Sequence, residues 1–173
     1  MTFENFFNWP AAVYVSALVA LSVAALTVIT GQWHGRFSMD GLVGVQKQHT
    51  QPAPRIGGVA IFSGLLAAYM FIEPDRATLL GVLLVAGLPA FLSGLIEDLT
   101  KQVGVMVRLL ATIASGVLAC WLTGMSLTSV DLPFLDGILG VTWVSVVFTA
   151  FAVGGVANAV NIVDGLNGLA SGF

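Results

Sequence analysis

The sequence has very few charged residues. Only 9% of its 173 residues are Asp, Glu, Lys or Arg, whereas 57% are hydrophobic, and an ordinary soluble domain has roughly a quarter charged residues. Its nine acids and six bases are too thinly spread to form a basic arm, which excludes nucleic acid as a partner. Because the apolar residues form separate long runs, the sequence predicts an all-α, polytopic integral membrane protein.

Cysteine and N-terminal basic residues are also scarce. Cys120 is the one cysteine and lies in an apolar run, which excludes an intrachain disulfide and most thiol-based metal sites. We interpret it as a small helix-packing residue. The first ten residues include Glu4 but no Lys or Arg, so the run that follows lacks the basic flank of a cleaved signal peptide. We expect it to be a retained first span.

The apolar runs predict about five membrane spans of roughly 17 to 25 residues each. They cover residues 10–30, 56–72, 78–96, 103–123 and 141–160. Residues 126–140 are predicted to form an outer loop, with a short hairpin as one option. Small residues let membrane helices approach closely, and we interpret the following residues of the spans as packing features: Gly64, Gly81, Gly87, Pro89, Gly94, Gly116, Gly154 and Gly155.

The distribution of basic residues predicts the orientation. Cytoplasmic loops of membrane proteins are enriched in Lys and Arg, and Arg76 is the one base on the side opposite to Arg36, Lys47, Arg55, Lys101 and Arg108. This predicts a bacterial inner-membrane protein with its N-terminus outside and with loops 31–55 and 97–102 and the residues after 160 in the cytoplasm. Residues 1–173 contain no repeat or linker, so we expect a single multi-span domain.

The first polar cluster on the predicted cytoplasmic side enters the second span. Lys47, His49 and Arg55 precede Gly57 and Gly58, where the second helix is predicted to begin. Three cations beside the exposed N–H groups of a helix N-terminus could hold a phosphate. The other interpretation is a positively charged cytoplasmic loop, and the residues alone leave both open.

The second cluster closes the third span. Glu97 and Asp98 are adjacent carboxylates at a membrane boundary, and a divalent cation or a proton-transfer role would explain keeping both there. The other interpretation is a solvated helix end in which Lys101, four residues on, pairs with Glu97. Arg108 enters the fourth span, where either snorkelling to the interface or binding of a lipid phosphate fits.

The third cluster closes the fifth span. In a helix, Asn158, Asn161 and Asp164 would lie within one arc, and Asp164-Gly165 would then break the helix. With Asn167 they supply amides and a carboxylate that suit a sugar, a base or a hydrated metal. An apolar membrane helix has little structural use for so many polar groups.

Together the three clusters resemble the polyprenyl-phosphate N-acetylhexosamine-1-phosphate transferases. The resemblance rests on Lys-x-His-x-x-Pro-x-Pro-Arg-x-Gly-Gly at 47–58, on the acidic pair, and on Asn-x-x-Asn-x-x-Asp-Gly-x-x-Gly-Leu-Ala at 158–170. It implies transfer of an amino-sugar 1-phosphate from a UDP-sugar to undecaprenyl phosphate in cell-envelope polysaccharide biosynthesis, with release of UMP. The Pro-Ala-Pro-Arg-Ile-Gly-Gly form is more similar to the O-antigen and teichoic acid branch than to the muramoyl-pentapeptide branch.

The resemblance also implies roles for the clustered residues. Glu97, Asp98 and Asp164 are expected to be catalytic, with Asp98 and Asp164 as ligands of Mg²⁺, or of Mn²⁺ as the alternative ion. The expected substrate-binding residues are Lys47, His49, Arg55, Gly57, Gly58, Lys101, Arg108, Asn158, Asn161 and Asn167.

The expected partners are undecaprenyl phosphate, a UDP-amino sugar and membrane lipids, and a homo-oligomer is left open. Family members continue through further spans, so we expect residues 1–173 to correspond to the N-terminal portion of a longer fold. The alternative is a non-catalytic truncated copy, a membrane scaffold or a small transporter.

Overall fold

The computed structural model describes residues 10–31 and 56–163, with side chains to residue 160. Every regular element in these ranges is a helix, which confirms the predicted all-α class. In chain order the helices are α1 (Ala11–Ile29), α2 (Gly57–Phe71), α3 (Pro74–Thr100), α4 (Val105–Thr123), α5 (Pro133–Leu139) and α6 (Thr142–Val163).

Four of these helices are long and apolar enough to cross a membrane, namely α1, α3, α4 and α6. The protein is therefore a polytopic membrane protein, as predicted. The second predicted span corresponds to α2, which has only 15 residues. At 1.5 Å per residue it rises about 22 Å, less than the roughly 30 Å of a bilayer core. Of the five predicted spans, four are therefore long apolar helices, and the second is a shorter apolar helix.

The ends of α3 and α4 differ from the predicted boundaries. Where the sequence predicted a span over 78–96, α3 extends over Pro74–Thr100, because charged residues at both ends lower the hydropathy but do not interrupt the helix. Pro74 supplies a preset φ at the first helical position, and Lys101 ends the helix in a left-handed conformation with φ 56°. α4 begins at Val105, two residues after the predicted boundary, and Gly124 ends it with φ 68°.

The segment predicted to be a hairpin contains a helix instead. Residues 124–130 have no regular structure, and α5 follows over Pro133–Leu139. Asp136 organises the turn that precedes this helix, since its carboxylate accepts hydrogen bonds from Ser129 Oγ (3.0 Å) and from the Val130 N–H (2.7 Å). The hairpin prediction was wrong because Pro133 begins a helix, and Asp136 within that helix bonds the preceding residues Ser129 and Val130.

The helices pack largely in chain order. α1 packs on α2, α2 on α3, α3 on α4, and α4 on α6, while α5 contacts α6. Glycine explains three close approaches: an added Cβ would lie 2.9 Å from Ser16 O at Gly64, 2.9 Å from Ala150 Cα at Gly116, and 2.7 Å from Ile113 Cγ1 at Gly154. Cys120 is buried in α4. These observations confirm the packing interpretation for these residues.

Three other glycines have no close packing neighbour within the described residues. A Cβ at Gly81 would lie 3.0 Å from the Tyr69 ring, but one at Gly87, Gly94 or Gly155 would meet no atom of the described part within 4 Å. No neighbour in residues 10–31 or 56–163 therefore requires glycine at those three positions. Gly94 instead borders a cleft.

Alternation of the helix directions gathers four helix ends on one side of the bundle. The start of α2, the end of α3, the start of α4 and the end of α6 lie together, and we call this the cleft end. The start of α3 and residues 124–140 lie on the other side, which we call the loop end. Many large apolar side chains between the two ends are exposed, as expected for surfaces that face lipid or other membrane helices.

Candidate functional site

A cleft of about 370 Å³ opens at the cleft end of the bundle. All four helix ends contribute to its walls, although the residues come from segments up to a hundred positions apart. The lining residues are Gly58 and Ile61 from α2; Ala90, Ser93, Gly94, Glu97 and Asp98 from α3; Arg108, Leu109 and Thr112 from α4; and Ala157 and Asn158 from α6.

The acidic pair lies in the last turn of α3, and both carboxylates border the cleft. Glu97 forms an ion pair across the helix interface, with 3.3 Å between its Oε2 and Arg108 Nη1. The side chains are 15% and 24% exposed, respectively. An ion pair that is largely withdrawn from water is screened less than a surface pair, so this contact fixes Glu97 and Arg108 relative to each other.

Arg108 therefore points into the cleft toward the acidic pair, in the first turn of α4. A guanidinium carries five N–H donors in a planar fork, and one contact with a carboxylate oxygen uses only part of that capacity. Arg108 can therefore hold Glu97 and bind an anion at the same time. This geometry suits a phosphate in the cleft better than a side chain that snorkels away from the protein.

Lys101 lies just beyond the end of α3. Its backbone adopts the left-handed conformation that ends the helix, with φ 56°. Its backbone N–H donates to the Glu97 carbonyl at 2.7 Å, which closes the last turn. Its role in substrate binding stays a prediction.

The third cluster reaches the cleft through Asn158. This side chain lines the cleft near the end of α6, beside Ala157. Asn161 lies less than one turn further along the same helix, but its side chain is outside the described residues. Asp164 and Asn167 are also outside them.

The first cluster is represented in the structure by its two glycines. α2 begins at Gly57, as predicted, and Gly58 lines the cleft. A Cβ at either position would meet no atom of the described ranges within 4 Å, so the approach to this helix N-terminus is open with respect to those residues. Lys47, His49 and Arg55 lie outside the described part of the chain.

Two hydroxyl residues in the cleft wall were not identified from the sequence. Ser93 Oγ donates to the Ala90 carbonyl at 2.9 Å, and Thr112 Oγ1 donates to the Leu109 carbonyl at 2.8 Å. Each is one helical turn from a charged residue of the site, since Ser93 precedes Glu97 by four positions and Thr112 follows Arg108 by four. That i, i+4 spacing is the signal that could have identified them.

A smaller cavity of about 200 Å³ lies beside the cleft, between α2 and α3. The residues that line this cavity but not the cleft are apolar, namely Val59, Phe91 and Leu95. The Phe91 ring stacks on the Phe62 ring, with 4.1 Å between the ring centroids. It shares Gly58, Ala90, Gly94 and Asp98 with the cleft. Asp98 consequently borders both a polar and an apolar space.

The carboxylates of the cleft are compatible with Mg²⁺ but do not form a complete metal cage. Within residues 10–31 and 56–163, no group of three His, Cys, Asp or Glu side chains lies close enough to hold a metal ion. Mg²⁺ usually keeps several waters and binds through one or two carboxylates together with substrate phosphates. Asp98 at the cleft wall, with Arg108 nearby for a phosphate, has the chemistry that this mode of binding requires.

The chain is similar to known proteins over most of its length. Residues 80–173 match the family described as glycosyl transferase family 4. No solved structure matches the chain.

The names of two curated relatives specify different polyprenyl phosphates, undecaprenyl phosphate and decaprenyl phosphate. A probable undecaprenyl-phosphate N-acetylglucosaminyl 1-phosphate transferase of Bacillus subtilis (strain 168) is 28% identical over 128 residues, or 74% of this chain and 35% of the relative. A decaprenyl-phosphate N-acetylglucosaminephosphotransferase of Mycobacterium leprae (strain TN) is 30% identical over 175 residues, or 91% of this chain and 42% of the relative.

A second kind of relative is named for a different sugar. A phospho-N-acetylmuramoyl-pentapeptide-transferase of Rhodococcus opacus (strain B4) is 36% identical over 151 residues, or 72% of this chain and 42% of the relative. The chain thus spans less than half the length of these three relatives.

The family match covers more than half of the 173 residues and includes the cleft-lining parts of α3, α4 and α6. The chain therefore belongs to glycosyl transferase family 4.

Proposed function

We propose that the chain forms part of an enzyme that transfers N-acetylhexosamine 1-phosphate, or a related amino-sugar 1-phosphate, from a UDP-sugar to undecaprenyl phosphate, with release of UMP. The observation that carries the proposal is the convergence of Asp98, the Glu97–Arg108 ion pair and Asn158 on one cleft. Family membership supports the same reaction class. The process served would be the synthesis of cell-envelope polysaccharide.

The charges of the cleft suit a reaction between two anions. A lipid phosphate must approach a nucleotide diphosphate, and cationic groups are needed to stabilise the charge that builds up. Arg108 supplies one such group, and Glu97 holds it in position. Lys47, His49 and Arg55 would add positive charge near the start of α2, where the helix N-terminus also favours an anion.

Asp98 is the carboxylate that we assign to the acceptor phosphate or to the metal. Asp98 borders both the polar cleft and the apolar cavity. A lipid acceptor needs both kinds of space, because its phosphate is polar and its chain is apolar. We propose that Asp98 and Asp164 hold the metal, and that Asn158, Asn161 and Asn167 contact the nucleotide sugar.

Mg²⁺ is the proposed metal, with Mn²⁺ as the alternative. When bound, it would neutralise phosphate charge and orient the diphosphate for displacement of UMP. Asp98 would provide an oxygen ligand at the cleft wall, while Arg108 would bind a phosphate oxygen.

We propose N-acetylglucosamine 1-phosphate as the transferred group, as in the O-antigen and teichoic acid branch. The Pro-Ala-Pro-Arg-Ile-Gly-Gly segment at 52–58 and the relatives named for N-acetylglucosamine support this choice. The relatives named for muramoyl-pentapeptide make that substrate the necessary comparison.

A transporter or scaffold is less well supported. Transporters commonly place substrate and ion sites near the bilayer midplane in interrupted helices. α3 does contain Pro89, but the charged side chains of the described helices lie near helix ends, as at Glu73, Arg76, Glu97 and Arg108. This placement favours chemistry at the membrane surface.

The proposal is tested by measuring release of UMP from membranes that contain the protein and undecaprenyl phosphate. UDP-N-acetylglucosamine and UDP-N-acetylmuramoyl-pentapeptide are supplied separately, each with Mg²⁺, with Mn²⁺ or with EDTA. We expect metal-dependent UMP release and a lipid-linked diphosphate sugar from the first donor. Release from the second donor alone would contradict the proposed sugar, and metal-dependent release from neither would contradict the proposed activity.

A further inference from the structure

The middle of α3 is held to α4 by one hydrogen bond at a proline. Pro89 has no N–H, so the Val85 carbonyl lacks its usual intrahelical donor and the helix is weakened at that point. The next N–H, that of Ala90, donates to Ser115 Oγ on α4 at 3.0 Å. Ser115 is buried, with 7% of its surface exposed. Its hydroxyl thus supports the backbone of a neighbouring helix where proline has interrupted the regular hydrogen bonding.

This hydrogen bond and the Glu97–Arg108 ion pair belong to the same helix register. Ala90 and Glu97 are seven residues apart on α3, and Arg108 and Ser115 are seven residues apart on α4. Because α3 and α4 run antiparallel, a step of seven residues forward on one helix matches a step of seven residues back on the other. The hydrogen bond and the ion pair therefore form in the same alignment of the two helices. The two contacts are about 10 Å apart along the helices, at 1.5 Å per residue.

The wall of the cleft lies between these two contacts. Ser93 and Thr112 occupy corresponding positions of that alignment, and both line the cleft. A shift of one helical turn between α3 and α4 would move Glu97 and Asp98 by about 5.4 Å relative to Arg108. The alignment of the two helices therefore decides whether the charged groups of the cleft face one another.

α4 is itself fixed on its other side. Gly116, next to Ser115, lies so close to α6 that an added Cβ would be 2.9 Å from Ala150 Cα. α4 and α6 consequently form a tightly packed pair, and the Ser115 hydroxyl links the proline-interrupted α3 to that pair.

We infer that Ser115 is a positioning residue: its hydrogen bond to the Ala90 N–H sets the register of α3 against α4 and thereby places Glu97 and Asp98 opposite Arg108. Ser115 does not line the cleft and acts through the helix backbone. The consequence for catalysis rests on the proposed function, whereas the consequence for helix register does not.

Register is tested first, by disulfide crosslinking in membranes. In a Cys120→Ala background, Ser93→Cys is combined with Thr112→Cys, which matches the observed register, or with Leu109→Cys, which is about one turn away. With Ser115 present, we expect crosslinking mainly of the 93–112 pair. With Ser115→Ala, we expect the 93–109 crosslink to gain at the expense of the 93–112 crosslink, and Ser115→Thr should restore the original pattern because its hydroxyl can accept the bond. An unchanged pattern in Ser115→Ala would overturn the inference.

Catalysis is tested next, in the UMP-release assay. Ser115→Ala should lower kcat on the order of 10- to 100-fold through misplacement of the charged groups, with little change in KM and with unchanged protein in the membrane. Ser115→Thr should retain most of the activity. Ser63→Ala is the control, because the Ser63 hydroxyl bonds the Val59 carbonyl of its own helix at 2.8 Å and lies away from the cleft.

The two assays separate the inference from the proposed function. If Ser115→Ala keeps full kcat, the positioning role is overturned. If the unsubstituted protein releases no UMP from either donor, the proposed function fails, and the crosslinking pattern still decides the register.

Discussion

The two ends of the helix bundle each contain an Arg–Glu ion pair, but the pairs differ in environment. At the loop end, Arg76 Nε lies 3.8 Å from Glu73 Oε2, within one turn of chain, and the side chains are 72% and 77% exposed. At the cleft end, Arg108 and Glu97 come from different helices, lie 3.3 Å apart and are 24% and 15% exposed. Exposed pairs contribute little to stability, so only the pair in the cleft can hold two helices and a binding group in place.

The acidic residues show the same contrast. At the loop end, Asp136 accepts hydrogen bonds from Ser129 and from the Val130 N–H, so its carboxylate organises the local loop. At the cleft end, Asp98 borders two cavities formed by several helices. The two carboxylates therefore have different uses: Asp136 bonds neighbours in its own loop, and Asp98 lies where several helix ends meet.

A double-mutant cycle on each ion pair tests this contrast. Arg108→Gln removes a cation from the cleft and leaves Glu97 without this partner, so we expect activity to fall about 10- to 100-fold, the range for hydrogen bonds to charged groups. Glu97→Gln should also lower activity, and the double variant should lose less than the product of the two single losses, because the residues act as a unit.

The matched cycle at the loop end uses Glu73→Gln and Arg76→Gln. Both single variants and the double variant should release UMP at the unsubstituted rate, since that pair is exposed and distant from the cleft. Additive losses at Glu97 and Arg108, or equal losses at the two ends, would contradict the contrast.

A second test fills the cleft without changing charge. Gly94→Leu puts a side chain into the space that Gly94 borders, and we expect activity to fall about tenfold or more because substrate is displaced from its reactive position. Gly87→Leu is the control: it lies two turns earlier on α3, has the same open space around its Cβ position and does not line the cleft. Equal activity of the two variants, at equal levels in the membrane, would argue against the cleft as the substrate site.

The smallest effect is expected at the loop end and concerns pH. The Val130 N–H, with help from the Ser129 hydroxyl, holds the pKa of the Asp136 carboxyl below its ordinary value of 3.8. A carboxyl whose pKa is lower in the folded state stabilises that state at pH values above its unfolded pKa, and the contribution is lost as the pH falls through the folded pKa. Proteolysis of the 124–140 segment should therefore increase below about pH 3.8.

Asp136→Asn should remove that pH dependence and leave UMP release at neutral pH unchanged. The same proteolysis profile in Asp136→Asn as in the unsubstituted protein would show that another group controls the loop.

Much of the fold could be predicted from the sequence, because long apolar runs have few alternatives in a membrane. The start of α2 at Gly57 and the end of α4 at Thr123 agree with the predicted spans. The loop-end helix α5 was missed because residues 126–140 as a whole were interpreted as a loop. Pro133 at the first helical position and Asp136 in the first turn are helix-start signals that could have identified it.

The residues that line the cleft could be predicted from the sequence more easily than the contacts between them. The sequence could suggest that Glu97, Asp98, Arg108 and Asn158 lie on one membrane side, and the structure places all four around one cleft. It could not show that Glu97 pairs with Arg108, because that contact depends on the alignment of α3 against α4. Ser115 was missed for the same reason: a serine in an apolar run has no local signal for the helix it contacts.

The most direct measurement of the central claim compares Asp98→Asn with Asp131→Asn in the UMP-release assay, at equal protein levels in the membrane. The first substitution removes a carboxylate from the cleft, and the second removes one from the exposed turn at the loop end. We predict that Asp98→Asn lowers UMP release on the order of 10²- to 10⁴-fold, as expected for loss of an acid–base or metal-binding group, while Asp131→Asn releases UMP at the unsubstituted rate. Full activity of Asp98→Asn would contradict the assignment of the chemistry to the cleft.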